Sequence, residues 1–273
     1  MPSAVATDAA GRVYTIGSNA GYGDDNSTVR LYDANGGLVS AWEVPFPNIG
    51  DLTVDAAGNV HIADYSGSIV ADIPAAVYVF TPAGTYLRAY AMRPCCDVTE
   101  AAGGVGIGPN GRSYVASPTS DQVVVFNADG SRYKASSGSG TAPGKLKSPW
   151  GLDVAPDGSV VVADRENSRV QVFTLAGGYL GTITATTKRG GFTMKTTALA
   201  FGPGQELYVS GTLYPFENGI AKYVPAGVGS GGAKVKAPKK GVKVAKRKVV
   251  RKKAVTKAVV TVTGGAKKVK IRR

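Results

Sequence analysis

Short runs of alternating apolar and polar residues recur along the chain, and each run leads into an aromatic residue that is followed, after three intervening residues, by a glycine. Alternation of this kind predicts β-strands, and the turn-forming residues after the aromatic predict a hairpin whose glycine takes a positive φ. The spacing occurs five times, at intervals of 46 to 50 residues: Tyr32 with Gly36, Phe80 with Gly84, Phe126 with Gly130, Phe173 with Gly177 and Tyr223 with Gly227.

The first half of each unit has its own regular pattern, in which a short apolar strand runs into an Asp/Gly turn and a second β-rich stretch. Residues 52–58 and 152–158 are two examples. Each unit therefore predicts four short strands, and no segment has helical periodicity. Four antiparallel strands in about 47 residues, repeated, predict an all-β chain with the β-propeller fold. Five units indicate a five-bladed or an incomplete six-bladed propeller; the second is favoured, which would make the chain a fragment or a shortened gene product.

The fourth unit carries a specific resemblance. Residues 148–173 read SPWGLDVAPDGSVVVADRENSRVQVF, which resembles an NHL repeat with its P-x-G opening, D-G turn, V-A-D strand end and N-x-R-V-x-V-F strand. The resemblance is weaker in the other units and covers about residues 1–227. It implies a propeller similar to the six-bladed rings of that family, some of which bind RNA.

Two aspartates, Asp64 and Asp164, end the second β-rich stretch of their units. In NHL-like repeats this arrangement resembles an internal brace, in which an aspartate pairs with backbone amides and with an arginine. The resemblance therefore implies a structural role for Asp64, Asp164, Asn167 and Arg169.

Composition changes abruptly after residue 227. Residues 228–273 contain 17 Lys or Arg and no Asp or Glu, so the chain's net charge of +13 belongs to this tail and residues 1–227 carry a net charge of −4. A run this rich in Lys and Arg favours disorder. Around the glycine pair at 264–265, the β-branched residues could form a hairpin over 258–271.

The basic tail predicts salt-dependent binding to nucleic acid or another polyanion, because each Lys or Arg that neutralises a phosphate releases a counterion. Sequence-specific reading is not expected, because the tail has no aromatic residue for base stacking. The alternative is a solvated tail that only improves solubility. The residues expected to make the contacts are Lys239, Lys240, Lys243, Lys246, Arg247, Lys248, Arg251, Lys252 and Lys253.

The sequence offers little support for catalysis. His61, the only histidine, stands at a repeat position held elsewhere by Tyr or Val, which favours a packing role. One histidine excludes a three-histidine zinc site within this chain, such as that of the amidating lyases to which some NHL propellers are similar. No G-x-S-x-G motif supports a serine nucleophile. We therefore expect no catalytic residue.

A calcium site is the remaining metal hypothesis. Related propellers of the gluconolactonase and lactonase type hold calcium in a central channel with carboxylates and amides, and calcium prefers several oxygen ligands. Asp51, Glu100 and Asp153 are the weak candidates here, since they lie just before or within the first strand of their units.

Aromatic residues in loops are the better indication of binding. Trp150 lies where a unit begins, Tyr22 lies in a glycine-rich loop, and Tyr214 and Phe216 lie in a loop of the fifth unit. Repeats present equivalent loops at the same rim. The favoured hypothesis is a non-catalytic interaction module that binds a protein or glycan there, with the tail as a polyanion tether. The alternatives are a lactonase- or lyase-type enzyme with a channel metal and an RNA-binding NHL protein.

The N-terminal residues and the apolar runs of the chain bear on the cellular compartment of the protein. Residues 1–11 lack a basic start and an apolar stretch, and no apolar run approaches the ~20 residues of a membrane span. The chain as written is expected in the cytoplasm, or outside the cell or in its envelope if its N-terminus is truncated.

Cys95 and Cys96 are adjacent, which leaves two free thiols and a vicinal disulfide as alternatives.

Overall fold

The computed structural model describes residues 2–18, 26–46, 48–65, 76–92, 100–186, 194–202, 205–213, 217–223 and 259–262. These residues form β-strands and one short 3₁₀ turn, which confirms the all-β prediction. The chain divides into two compact units, Met1–Gly138 and Ser139–Arg273. In the described residues no helix is long and apolar enough to cross a membrane.

The first unit contains three antiparallel sheets of four strands each, and the strands follow one another in chain order. The first sheet has β1 (Pro2–Thr7), β2 (Val13–Ser18), β3 (Ser27–Tyr32) and β4 (Leu38–Val44). The second has β5 (Ile49–Val54), β6 (Val60–Asp64), β7 (Ala76–Phe80) and β8 (Tyr86–Ala91). The third has β9 (Val105–Ile107), β10 (Ser113–Ser117), β11 (Gln122–Phe126) and β12 (Arg132–Ser137).

The second unit contains two sheets. The fourth sheet has β13 (Pro149–Val154), β14 (Val160–Asp164), the 3₁₀ turn Arg165–Asn167, β15 (Arg169–Phe173) and β16 (Tyr179–Thr186). The fifth has β17 (Met194–Phe201), β18 (Leu207–Leu213) and β19 (Glu217–Tyr223). The four-stranded repeat predicted from the sequence is thus confirmed, and the fifth sheet has three strands in the described residues.

One described segment belongs to the predicted tail. Strand β20 (Val259–Val262) pairs antiparallel with β16, so the fourth sheet has five strands. It covers part of the predicted hairpin 258–271, and the rest of that hairpin lies outside the described residues. The division into a propeller at 1–227 and a tail at 228–273 stays a prediction.

The middle strands are buried on both faces. Every residue of β6, β7, β10 and β14 is buried, whereas β8 and β12 begin with exposed residues. The core clusters explain this, because one cluster combines the first and second sheets, another the second and third, and another the fourth and fifth. Apolar residues from neighbouring sheets thus form each core, and one sheet could not bury both of its faces alone.

The repeated glycine is explained by this packing. Gly84 and Gly130 have φ of +86° and +89°, which other residues adopt at a cost. A Cβ on Gly84 would also lie 2.5 Å from Cγ of Trp42 in the first sheet, and one on Gly130 would lie 3.2 Å from Cδ1 of Tyr90 in the second. The glycine therefore makes the hairpin and gives room to an aromatic side chain of the preceding sheet.

The fourth strands of four sheets share a β-bulge near their start. In the first three sheets the bulged residues are Val39, Leu87 and Tyr133, and all three are exposed. A bulge twists the strand and interrupts its open hydrogen-bonding edge, which limits pairing with other chains.

Candidate functional site

Trp150 is the predicted rim aromatic that lies within the described residues. It is half-buried and stands in a β-bulge at the start of β13, where the register shifts between Pro149 and Leu152. The guanidinium of Arg165, in the 3₁₀ turn, lies over the indole with its Cζ 5.1 Å from the ring centroid. This separation is within the range of a cation–π contact. Tyr22, Tyr214 and Phe216 lie outside the described residues.

A second pair of side chains, one of them next to Arg165 in sequence, joins the fourth sheet to the fifth. Nζ of Lys195, near the start of β17, is 3.2 and 3.1 Å from the two carboxylate oxygens of Glu166. Both side chains are largely exposed, so the pair itself adds little to stability. We call the four residues Trp150, Arg165, Glu166 and Lys195 the Trp150 rim.

The backbone around the Trp150 rim is strained at two serines. Ser148 precedes β13 with φ of +45°, and Ser168 precedes β15 with φ of +50°. A non-glycine residue in the left-handed region costs roughly 1–2 kcal/mol. Such strain persists only where the surrounding structure imposes it, and it is frequent at binding and catalytic sites. Here it fixes the directions of the two segments that carry Trp150 and Arg165.

The carboxylate of Asp164 holds the 3₁₀ turn in place. The carboxylate is fully buried and accepts from the backbone N–H of Lys147 (2.7 Å), from Nδ2 of Asn167 (3.0 and 2.9 Å), from Nε of Arg169 (2.6 Å) and from Nε2 of Gln171 (2.9 Å). Five donor contacts on one buried carboxylate make a rigid centre.

Arg169 extends this network to the segment before β13. Its Nη atoms donate to the carbonyl oxygens of Thr141 (2.8 Å), Ala142 (3.0 Å) and Lys145 (2.8 Å). Gln171 adds a bond from the Gly144 N–H to its Oε1 at 2.9 Å. Gln171 was not among the residues predicted from the sequence, although a polar residue inside the apolar run of β15 was the available signal. Asp64 ends β6 as Asp164 ends β14, and it is also fully buried.

The calcium candidates are engaged in other contacts. Asp51 accepts from the N–H of Leu52 (2.8 Å) and, through Oδ2, from the N–H of Val105 in the third sheet (3.2 Å). Glu100 is buried with its Oε2 3.4 Å from Nη1 of Arg132. In the described residues no group of three or more His, Cys, Asp or Glu is arranged to hold a metal. Calcium binding stays a prediction.

Asp153 makes an equivalent link in the second unit. It accepts from the N–H of Val154 (2.8 Å) and from the N–H of Phe201 in β17 (3.0 Å). Burial raises the pKa of Asp153 to about 6, and the two backbone N–H groups oppose part of that rise. The first strand of one sheet is thus joined to the first strand of the next through a carboxylate.

His61 lies in a hydrogen-bonded chain between the second and third sheets. Its Nε2 is 3.1 Å from Oδ2 of Asp55, its Nδ1 contacts Oη of Tyr90, and that hydroxyl is 3.0 Å from Oγ of Ser113. Because a carboxylate only accepts, Nε2 carries the proton and Nδ1 accepts from Tyr90. His61 and Ser113 are each 3% exposed, so both side chains are nearly closed off from solvent.

The hydrogen-bonded chain around His61 predicts that the free energy of unfolding depends on pH. Burial lowers the pKa of His61, Asp55 partly restores it, and the positive charge of Arg88 lowers it further. The unfolded chain therefore binds a proton near pH 6.5 that the folded chain resists, and the contribution of His61 to the free energy of unfolding falls as the pH drops below that value, by up to about 1.4 kcal/mol per pH unit. Urea unfolding of the wild type and of His61→Gln between pH 7.5 and 5 checks this. If the free energies of unfolding of the two proteins changed with pH by the same amount, the prediction would be wrong.

Comparison with known proteins agrees with these observations. Residues 146–173 match the model of the NHL repeat. Over 40 residues the chain is 50% identical to the E3 ubiquitin-protein ligase TRIM71 of Bos taurus, a stretch that covers 15% of this chain and 5% of that protein. The chain thus spans only a small part of the curated relatives that it matches.

Solved structures resemble a larger part of the chain. A gluconolactonase from Xanthomonas campestris is similar with a TM-score of 0.54 at 20% identity, over 77% of this chain and 69% of that one. The WD40 β-propeller domain of Doa1 is similar with a TM-score of 0.53 at 10% identity, over 77% of this chain and 62% of that one. At these identities the likeness concerns the fold. The chain is therefore an all-β protein of the β-propeller fold that carries an NHL repeat at residues 146–173.

Proposed function

We propose that the chain is a non-catalytic β-propeller interaction module, which binds a protein or glycan at the Trp150 rim and uses its basic tail as a tether to polyanions. The observation that carries the proposal is the stack of the partly exposed Arg165 on the half-buried Trp150 at the start of β13. Trp and Arg are the residues that most often dominate binding energy at interfaces.

The rigid support of the rim favours binding. Asp164 and Arg169 fix the 3₁₀ turn, and Ser148 and Ser168 hold strained backbone conformations beside it. A side chain that is already held in its bound geometry loses less conformational entropy when the partner arrives. The buried positions of His61 and Ser113 also favour a binding role over a hydrolytic one.

Site-specific photo-crosslinking tests the rim. Thr212 of β18 is exposed and lies opposite Lys195 of β17, so a photoreactive residue at position 212 should capture a discrete partner in cells that express the full chain. The same residue at Ala176, exposed at the opposite end of the fourth sheet, is the control and should not capture it. Equal capture at both positions, or none at either, would overturn the proposal for the rim.

The tail tether is supported by 17 Lys or Arg in residues 228–273. We expect the full chain to bind heparin and labelled single-stranded RNA with an affinity that falls steeply between about 50 and 200 mM salt and ignores RNA sequence. A variant with the nine named tail residues replaced by Gln should lose most of this binding. If the variant still bound RNA and preferred particular RNA sequences, the result would instead support the alternative, an RNA-binding propeller.

The enzymatic alternative is supported by the likeness to a gluconolactonase, together with buried carboxylates at the first strands. It requires a metal, and a ligand that binds only the folded state raises the melting temperature. A melting temperature that rises with added Ca²⁺ and falls back with chelator, together with lactone hydrolysis, would favour this alternative over the binding module.

A further inference from the structure

Two arginines of the fourth sheet have opposite hydrogen-bonding situations. Arg169 is saturated, because its guanidinium bonds to Asp164 and to three backbone carbonyl oxygens. Arg165 lies four residues earlier, and in the described part of the chain its Nε is buried without a hydrogen-bond acceptor. A buried donor that lacks an acceptor costs free energy, and an acceptor that reaches this N–H would recover that cost.

The neighbouring carboxylates are already committed to other donors. Glu166 is adjacent in sequence to Arg165 but pairs with Lys195 through both of its oxygens. Asp164, on the other side, accepts five donor contacts in the brace. Glu166 and Lys195 cancel each other's charge, so the Trp150 rim carries one net positive charge, on Arg165.

We propose that Arg165, supported by the indole of Trp150, is a subsite for a single carboxylate group of a partner protein, either an acidic side chain or a C-terminus. This inference rests on the proposed function and names the chemistry of the partner at the same rim. A guanidinium presents parallel N–H donors that match the two oxygens of a planar carboxylate. The indole face restricts the guanidinium to one plane, which reduces the entropy lost on binding.

The local charge favours a carboxylate over a phosphate. A phosphate group brings up to two negative charges next to Glu166, whereas the four described residues of the Trp150 rim together carry one positive charge. Nucleic-acid backbones bring several phosphates in a row, and such binding usually needs a set of Lys and Arg. The single charge of a carboxylate matches the net charge of these four residues.

The test uses the full chain and a neutral-flanked acidic probe, the tripeptide acetyl-Gly-Glu-Gly-amide, at about 150 mM salt to suppress binding by the tail. The chain has two tryptophans, so two indole N–H signals are expected in an NMR spectrum. We expect the Trp150 indole and Arg165 Nε–H signals to shift together and saturate with a Kd in the millimolar range. The probe with Gln in place of Glu should leave both signals unmoved.

Variants test whether the shift of the NMR signals depends on the paired N–H donors of the Arg165 guanidinium. Arg165→Gln should abolish the shift of the Trp150 signal, and Arg165→Lys, which keeps the charge, should weaken binding several-fold. Arg112→Gln is the matched control, because the Arg112 guanidinium also lies over an aromatic ring, that of Tyr133 at 3.7 Å, but its Nε already donates to Asn127. That variant should bind like the wild type.

Three outcomes would overturn the inference: equal shifts with the Gln probe, binding that survives in Arg165→Gln, or inorganic phosphate that binds more tightly than the Glu probe. If the Glu probe gives no shift while crosslinking from Thr212 still captures a partner, the carboxylate subsite is wrong and the interaction module stands. If crosslinking also fails, both are wrong.

Discussion

Replacing Asp164 by alanine is expected to lower the free energy of unfolding by about 3–5 kcal/mol. The substitution removes the acceptor of five donor contacts and leaves the guanidinium of Arg169, 13% exposed, without its ion-pair partner. Breaking one side of a buried pair has this magnitude because the remaining charge stays desolvated. The buried amide of Gln171 loses one of its two acceptors at the same time and keeps the carbonyl oxygen of Lys145.

Urea denaturation followed by circular dichroism measures this change. Asp129→Ala is the control: Asp129 is exposed and accepts from the N–H (2.9 Å) and Oγ (2.6 Å) of Ser131, so its loss should cost about 1 kcal/mol or less. If the two variants were equally stable, the brace would not hold the 3₁₀ turn, and the support of the Trp150 rim would have to come from other contacts.

Gly50→Ala is expected to cost at least about 3 kcal/mol or to prevent folding. A Cβ at this position of β5 would lie 2.3 Å from the carbonyl oxygens of both Ala102 and Gly103, which lead into the third sheet. These are backbone atoms, so the overlap is relieved only if the two sheets move apart. That movement would also stretch the bond between Asp51 and the N–H of Val105.

Gly36→Ala separates this overlap from the general cost of losing a glycine. Gly36 has φ of +86°, and a Cβ added there would have no neighbouring atom within 4 Å. Alanine at this position should therefore cost only the strain of the left-handed region, roughly 1–2 kcal/mol. Thermal melts and soluble yield of the two variants make the comparison. A Gly50→Ala protein as stable as Gly36→Ala would show that neighbouring sheets do not approach this closely.

The repeat was predictable from the sequence because its signals are local. An alternating strand, a turn and a glycine lie within ten residues of each other, and the strand positions follow from them. The second role of the glycine was not predictable, because the ring that lies on Gly84 belongs to Trp42 in another sheet. Contacts between sheets leave little trace in one local window.

The candidate site illustrates the same limit. Trp150 was predictable as an aromatic residue at the start of a unit. The resemblance to the NHL repeat implied the structural role of Asp164, Asn167 and Arg169. Arg165, Glu166 and Lys195 had no signal of their own, since exposed charges are common and their arrangement depends on how the fifth sheet packs on the fourth. The sequence offers Asp51 and Asp153 as calcium ligands but carries no signal for their bonds to N–H groups of neighbouring sheets, because those partners are distant in sequence.

The most direct test of binding at the Trp150 rim is the crosslinking yield from Thr212 in the full chain after removal of the indole. Trp150→Ala should reduce the capture of the partner by about tenfold or more, because truncation of a central aromatic contact typically costs above 1–2 kcal/mol. Arg112→Gln should leave the yield unchanged. Capture of the same partner by Trp150→Ala at the wild-type level would contradict the assignment of this rim as the binding site.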